Sequence, residues 1–252
     1  MINSESYNLL LNLAKRNIKL KYKNSILGFF WSFLTPLVYL IIFYFVFSTA
    51  FASVENYALY VLTGLVYWQF FSNTTNQVIQ SFISNAGIIK TINVPVISFP
   101  FSALISELGN LVLTFVPFLA LMYYLGYSPG LAFFAIIPVT VLLAILSLGL
   151  SLFLGTLNVY LRDISILWNT LNPALFYLTP IAYTLDLVPE KFHWILKLNP
   201  LWYFFKGVRA SLYSNTWPSI ETWGYMVLIS FLVFAIGWFT FKKLQPGIIS
   251  NV

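Results

Sequence analysis

Hydrophobic positions along this chain gather into six long runs, at roughly 29–50, 58–82, 98–125, 131–157, 165–184 and 222–241. Each approaches or exceeds the ~20 apolar residues that a helix needs to cross a bilayer. A backbone exposed to lipid must satisfy its own hydrogen bonds, and no run shows the alternating ten-residue segments of an outer-membrane barrel. The connections are short except for the stretch from Leu185 to Glu221. The pattern predicts an all-α integral membrane protein whose 252 residues form a single transmembrane domain. Within it, residues 1–28 are a cytoplasmic interface segment and 29–184 hold spans one to five. Residues 185–221 form an outer segment, and 222–252 hold span six and a cytoplasmic tail.

Composition agrees, with 60% hydrophobic and only 8% charged residues against the ~25% of an ordinary soluble domain. That excludes a soluble enzyme, a disordered chain and a nucleic-acid-binding domain. The net charge of +6 is mostly topology. Lys15, Arg16, Lys19, Lys21, Lys23, Lys90, Arg162, Lys242 and Lys243 fall on one side of the predicted spans, which puts both termini in the cytoplasm. Before span one, Leu9, Leu10, Leu13, Ile18 and Leu20 interleave with the first five of those cations, as in an amphipathic helix lying among anionic headgroups. A topogenic basic tail without fixed structure is the plainer alternative. Ala50-Phe51-Ala52 imitates a signal cleavage site, but the basic region and apolar run are too long for a cleaved leader.

Chemistry-bearing residues are few. With no cysteine, a single histidine (His193) and no GxxxxGK[ST] loop, the chain predicts no catalytic centre, no metal site and no nucleotide site of its own. Any energy for work against a gradient comes from another chain. A polytopic transferase would need a positioned base or a carboxylate pair, and a channel would need a filter or charge ring. Glu107, about a third of the way into span three, is costly unless paired or neutral, and reads as support for the bundle or its inner entrance. Asp163 beside Arg162 reads as a hinge or subunit contact. Gln69, Asn73, Asn76, Gln77 and Gln80 recur at helical spacing in span two, either bonding neighbouring helices or lining a wet passage.

Span five carries a polar and aromatic stripe. Ser165, Asn169, Asn172, Phe176, Thr179 and Tyr183 follow at steps of 4, 3, 4, 3 and 4, a single helix face. Ser32, Thr35, Tyr39 and Phe43 form a shorter counterpart in span one. These ten positions are the candidate translocation path; bonding between neighbouring spans is the alternative. In the outer segment, Phe192, Trp194, Trp202, Tyr203, Phe204, Phe205 and Tyr213 mix with Lys191, Lys197, Lys206 and Arg209. This predicts two helices re-entering the outer interface, broken near Leu198-Asn199-Pro200, as a gate over the pore; Phe192, Trp194, Trp202, Tyr203, Phe205 and Arg209 are its candidate residues. An aromatic belt that only anchors the protein is the alternative. His193 is read as an ordinary interfacial histidine. The first cytoplasmic loop, Ser84 to Pro95, contains a short apolar helix-like piece, which calls for another protein to cover it or for headgroups to receive it.

Several of these segments together resemble polysaccharide-exporting ABC-2 permeases. Tyr22-Lys23-Asn24-Ser25-Ile26-Leu27-Gly28-Phe29-Phe30-Trp31-Ser32-Phe33-Leu34-Thr35-Pro36 is similar to their opening motif. Asn85-Ala86-Gly87-Ile88-Ile89-Lys90 with Val94-Pro95 resembles their coupling helix; Thr91 and Val94 depart from the usual pattern. Asn158 to Ile164 and Thr179-Pro180-Ile181-Ala182-Tyr183 resemble the fifth-span region, and Asn199-Pro200-Leu201 with Arg209 the segment before the last span. The resemblance implies a half-transporter in a bacterial inner membrane. A second copy of the chain would complete the pore as a homodimer, and two separate nucleotide-binding ATPase subunits would hold ATP and Mg. It also implies that Asn85, Ile88, Ile89, Lys90 and Thr91 seat in a cleft of the ATPase, against which the N-terminal helix also packs. The implied substrate is a lipid-linked polysaccharide such as O-antigen; teichoic acid, a drug or a lipid are the alternatives. Amides and rings without charge suit a sugar polymer, which presents hydroxyls and apolar C–H faces.

Overall fold

The computed structural model describes residues 4–47, 54–91, 94–185 and 188–252. Among them every regular element is helical: α1 (Ser4–Lys21), α2 (Trp31–Phe47), α3 (Tyr57–Ser84), α4 (Ala86–Thr91), α5 (Ser98–Tyr124), α6 (Ile136–Tyr160), α7 (Asp163–Leu178), α8 (His193–Leu198), α9 (Pro200–Leu212) and α10 (Ile220–Asn251). Short 3-10 turns lead into α2, α6 and α8. Ala50-Phe51-Ala52, the end of the first apolar run, and Ile92 and Asn93 of the coupling loop lie outside the described residues.

Four segments are long and apolar enough to cross a membrane: Gly28–Phe47, Ser98–Tyr124, Leu131–Tyr160 and Ile220–Asn251. Two of the six expected runs take another form. The second becomes α3, which has 28 residues but is interrupted by amides. It needs no apolar exterior, because α2, α5, α6, α7 and α9 surround it. Tyr67, Phe71 and Phe82 on α3 are fully buried, and Phe82 stacks on Phe241 of α10 at 5.9 Å. The fifth run yields only the 16 residues of α7, about 24 Å of helix. It stops because Thr179 turns to an extended conformation before Pro180, which disfavours helical geometry in the residue preceding it.

Span six departs in the opposite direction. It continues through Lys242 and Lys243 to Asn251, because Phe241 and Ile248 bury against the bundle and the Tyr160 hydroxyl donates to Leu244 O at 2.8 Å. Helices α6 and α10 touch backbone to backbone. A methyl added at Gly237 would stand 2.0 Å from Gly149 O, and Ser230 Oγ donates to Leu142 O at 2.9 Å across the same seam. Close approach through small residues is how helices associate where lipid removes the hydrophobic drive.

Helix α1 lies against α5, with Leu13 and Ala14 buried and Lys15 and Lys19 exposed. The interleaved apolar and basic positions therefore do form an amphipathic helix. Its apolar face meets protein, and one of its lysines turns inward.

Candidate functional site: a polar cavity, the coupling turn and the outer helix pair

Helices α2, α3, α5 and α7, with the end of α1, enclose a cavity of about 560 Å³. Ser32, Thr35, Tyr39 and Phe43 line it from α2, and Asn169, Asn172 and Phe176 from α7. The structure thus brings together seven of the ten candidate path residues from two separate stripes. The other three stand apart. Ser165 is engaged at the start of α7, its N–H donating to Asn158 Oδ1 at 3.0 Å and its hydroxyl to Arg162 O at 3.0 Å. Thr179 is fully buried and donates to Leu175 O at 2.7 Å. Tyr183 lies beyond the helix, so the single-face reading fails for its last two members once Thr179 leaves the helical conformation.

The amides of α3 divide between the two roles their spacing allowed. Gln69, Asn73 and Asn76 line the cavity, whereas Gln77 bonds a neighbouring helix and Gln80 is exposed. Asn172 does both, donating to Ser72 Oγ at 3.0 Å from the cavity wall. Trp31, Trp68 and Tyr177 add indole and phenol rings, and Leu65, Val66, Phe70, Leu111 and Pro173 give the wall an apolar share; nothing in their spacing marks them.

Glu107, 2% exposed, lines the α1 end of the cavity as part of an ion pair. Lys21 Nζ of α1 sits 2.9 and 3.1 Å from its two carboxylate oxygens, Asn110 Nδ2 donates to it at 3.1 Å, and Gln77 Nε2 donates to it as well. Next to it, the Tyr22 hydroxyl bonds Ser32 Oγ and donates to Asn110 Oδ1 at 3.2 Å. A buried carboxylate is tolerated only when paired and hydrogen-bonded. The lysine-rich run before span one was the available signal for the partner, though not for which lysine turns inward.

The short helix-like piece expected after span two forms as α4, opened by Asn85, whose carbonyl accepts from Ile88 N at 2.9 Å and Ile89 N at 3.0 Å. Its five candidate contact residues separate by side. Asn85 is buried, donating to Ser81 O at 2.7 Å and accepting from Arg16 of α1 at 2.6 Å. Ile89 is 5% exposed and belongs to the core. Both face the bundle and hold the turn in place. Lys90 and Thr91 are exposed, Ile88 half-buried, and Gly87 faces open space. Asp163 is exposed in the first turn of α7, where a carboxylate complements the helix dipole.

In the outer segment the two expected helices are present, broken at Asn199. Asn199 caps α9 by accepting from Leu201 N at 3.0 Å, with Pro200 in the first turn. Phe192 and Trp194 are exposed, Trp202 half-buried, and Tyr203 stacks on Tyr225 of α10 at 4.3 Å. Phe205 points into the core at 1% exposure, so it takes no part in a gate surface. His193 Nε2 bonds Val188 O at 2.7 Å, a local turn contact. Arg209 lies over the Tyr60 ring at 3.8 Å and donates to two carbonyls of the segment that follows α7. Burial pushes the Tyr213 phenol above its ordinary range, with Tyr127 and Glu55 adding to the shift.

The family model described as ABC-2 type transporter matches residues 8–213. The chain belongs to the ABC-2 type transporter family. The match runs from α1 through α9, so the cavity, α4 and the α8–α9 pair all lie within it. Among curated relatives, an O-antigen export system permease protein RfbA of Klebsiella pneumoniae is 32% identical over 241 residues, covering 95% of this chain and 93% of that protein. One from Myxococcus xanthus is 27% identical over 220 residues, covering 84% and 83%. The capsule polysaccharide export inner-membrane protein CtrC of Neisseria meningitidis is 20% identical over 241 residues, covering 94% and 91%.

Proposed function

We propose that this chain is the membrane subunit of an ATP-driven exporter that carries a lipid-linked cell-surface polysaccharide across a bacterial inner membrane. The observation that carries the reading is the cavity itself: amides, hydroxyls and aromatic rings beside a few aliphatic side chains, with its two charged groups, Lys21 and Glu107, bound to each other. Such a lining pairs with sugar hydroxyls and C–H faces and leaves no unpartnered charge to trap a sliding chain. Relatives that export O-antigen and capsule polysaccharide, matched over nearly their full length, support the substrate class.

In this reading α3 and α7 complete six spans with the four apolar segments, both termini are cytoplasmic, and two copies form the pore. Helices α2 and α7 flank the cavity and expose Val38, Ile41 and Phe45, and Leu167, Leu171 and Leu178, faces suited to lipid or to the second copy. ATP and Mg belong to two separate nucleotide-binding subunits. These dock on the outward side of α4, formed by Gly87, Lys90, Thr91 and the rim of Ile88, beside the exposed lysines of α1. Movement of α4 reaches the cavity through the Arg16–Asn85 and Lys21–Glu107 contacts, given two states with different contacts.

Deleting the gene tests the proposal. Lipid-linked glycan should accumulate on the cytoplasmic face and clear when the chain is restored with its ATPase. Normal surface glycan in the deletion strain, or clearance with an ATPase unable to hydrolyse ATP, refutes it.

A further inference from the structure

Helix α7 ends abruptly, and the segment after it is held almost entirely by side chains from other helices. Asn199, at the start of α9, donates to Leu178 O at 3.3 Å and to Thr179 Oγ1 at 2.8 Å. Arg209, near the end of α9, donates from one guanidinium nitrogen to Pro180 O and, at 2.8 Å, to Ile181 O. From α3, Tyr57 donates to Ala182 O at 2.7 Å and Tyr60 to Tyr183 O at 3.0 Å. Four consecutive carbonyls, 180 to 183, are thus satisfied by side chains of α9 and α3. Ile181 is fully buried and packs so tightly on α3 that a methyl at Gly64 would meet its Cγ2 at 2.9 Å.

A broken helix end inside a membrane protein is stable only when its freed carbonyls find donors. A guanidinium suits this place because it stays charged and its planar face can lie on a ring while one of its nitrogens reaches both carbonyls. The Tyr60 ring beneath it, 3.8 Å away, supplies the negative face that a desolvated cation prefers. Burying an arginine to bind neutral carbonyls is expensive, and an apolar residue would pack α9 against α3 at less cost. What the arginine adds to the Asn199 contacts is a charged link from the far end of α9 to the segment that follows α7, whose Phe176 and Tyr177 line the cavity less than one turn before the helix ends.

We propose that Arg209 is a positioning residue that clips the outer end of α7 to α9 and α3, so that the outer helix pair and this wall of the cavity move as one body. The consequence for transport rests on the function proposed above, in which α7 lines the export path. The clip itself does not.

The test uses the complete exporter in membrane vesicles, with a single reporter cysteine at Ala182, which is 7% exposed in a chain that has no cysteine of its own. A water-soluble maleimide reads opening of the clip, and a cysteine at buried Ala103 of α5, outside the clip, serves as control. Arg209→Lys keeps the charge but loses the planar group that lies over Tyr60 and shortens the reach to the two carbonyls. With those charged hydrogen bonds weakened, labelling at 182 should quicken about tenfold or more while labelling at 103 is unchanged. Arg209→Met should quicken it further. Tyr60→Phe, which removes only the donor to Tyr183 O, should give a smaller effect and guards against a misfolded arginine variant. Unchanged labelling at 182 in Arg209→Lys overturns the proposal, as does an equal rise at 103, which means general loosening. Glycan export in the same vesicles separates the two readings: quickened labelling with lost export supports both. Quickened labelling with normal export supports the clip and refutes α7 as a wall of the path.

Discussion

Replacing Lys21 by methionine removes the positive half of the Lys21–Glu107 pair and leaves a carboxylate that is 2% exposed. The contact lies 2.9 Å from nitrogen to oxygen, so the direct attraction is about 6 kcal/mol at an effective dielectric of 20. Most of that repays the loss of hydration, and what matters in the variant is the stranded charge. Breaking a fully buried pair costs about 3–5 kcal/mol. Here the lysine side chain is 29% exposed and Gln77 and Asn110 still donate to the carboxylate, so the expected cost falls to about 2–3 kcal/mol. Glu107→Gln should cost less, about 1 kcal/mol, because the freed lysine reaches solvent through the cavity. The double variant should be more stable than Lys21→Met alone, since no charge is then stranded. Thermal unfolding in detergent, followed by the fluorescence of the eight tryptophans, reads all three. A loss of 2–3 kcal/mol corresponds to a midpoint shift of about 4–12 °C for a chain of this size. Strict additivity in the double-mutant cycle, or a Lys21→Met shift below about 1 °C, refutes the pairing as the reason Glu107 is tolerated.

The α6–α10 seam gives a glycine contrast: Gly237→Ala, with its methyl 2.0 Å from Gly149 O, should cost about 1–3 kcal/mol, while Gly224→Ala, in open space, should be neutral or slightly stabilising; thermal unfolding of both checks it. On the coupling turn, Gly87→Trp should leave the isolated chain within about 0.5 kcal/mol of wild type but abolish co-purification of the ATPase. Ile89→Asp should destabilise the chain itself by several kcal/mol, about the cost of a charge placed in the core. The purified chain should hydrolyse no ATP, and an assay on material shown free of the nucleotide-binding subunit checks that.

What the sequence made legible follows from period and composition. The amphipathic spacing before span one, the Asn199-Pro200 break between two outer helices and the stripes of α2 and α7 all have local causes, so they could be read without a fold. Seven stripe residues meet at one cavity because helical period alone decides which side chains share a face. Thr179 and Tyr183 stand apart from the cavity because the helical period does not continue through a proline-adjacent helix end, where the local rule changes. Asn85 and Ile89 face the bundle while Lys90 faces outward, because a short helix has two sides and packing decides which one is covered. The lysine that meets Glu107, the rings of Trp31 and Trp68, and the clip on residues 180–183 are tertiary facts. They join positions up to about 120 residues apart, and nothing periodic marks them.

The central claim is that the polysaccharide passes through the cavity between α2, α3, α5 and α7. The most direct test places a photo-reactive phenylalanine at Phe176, a near-isosteric change on the cavity wall, in cells that are exporting glycan. Phe231, exposed on α10 away from the cavity, is the control. Light should attach glycan to the chain at 176 only while the ATPase is active, and should attach none at 231. Export that continues with no adduct at 176, or equal adducts at both positions, would contradict it.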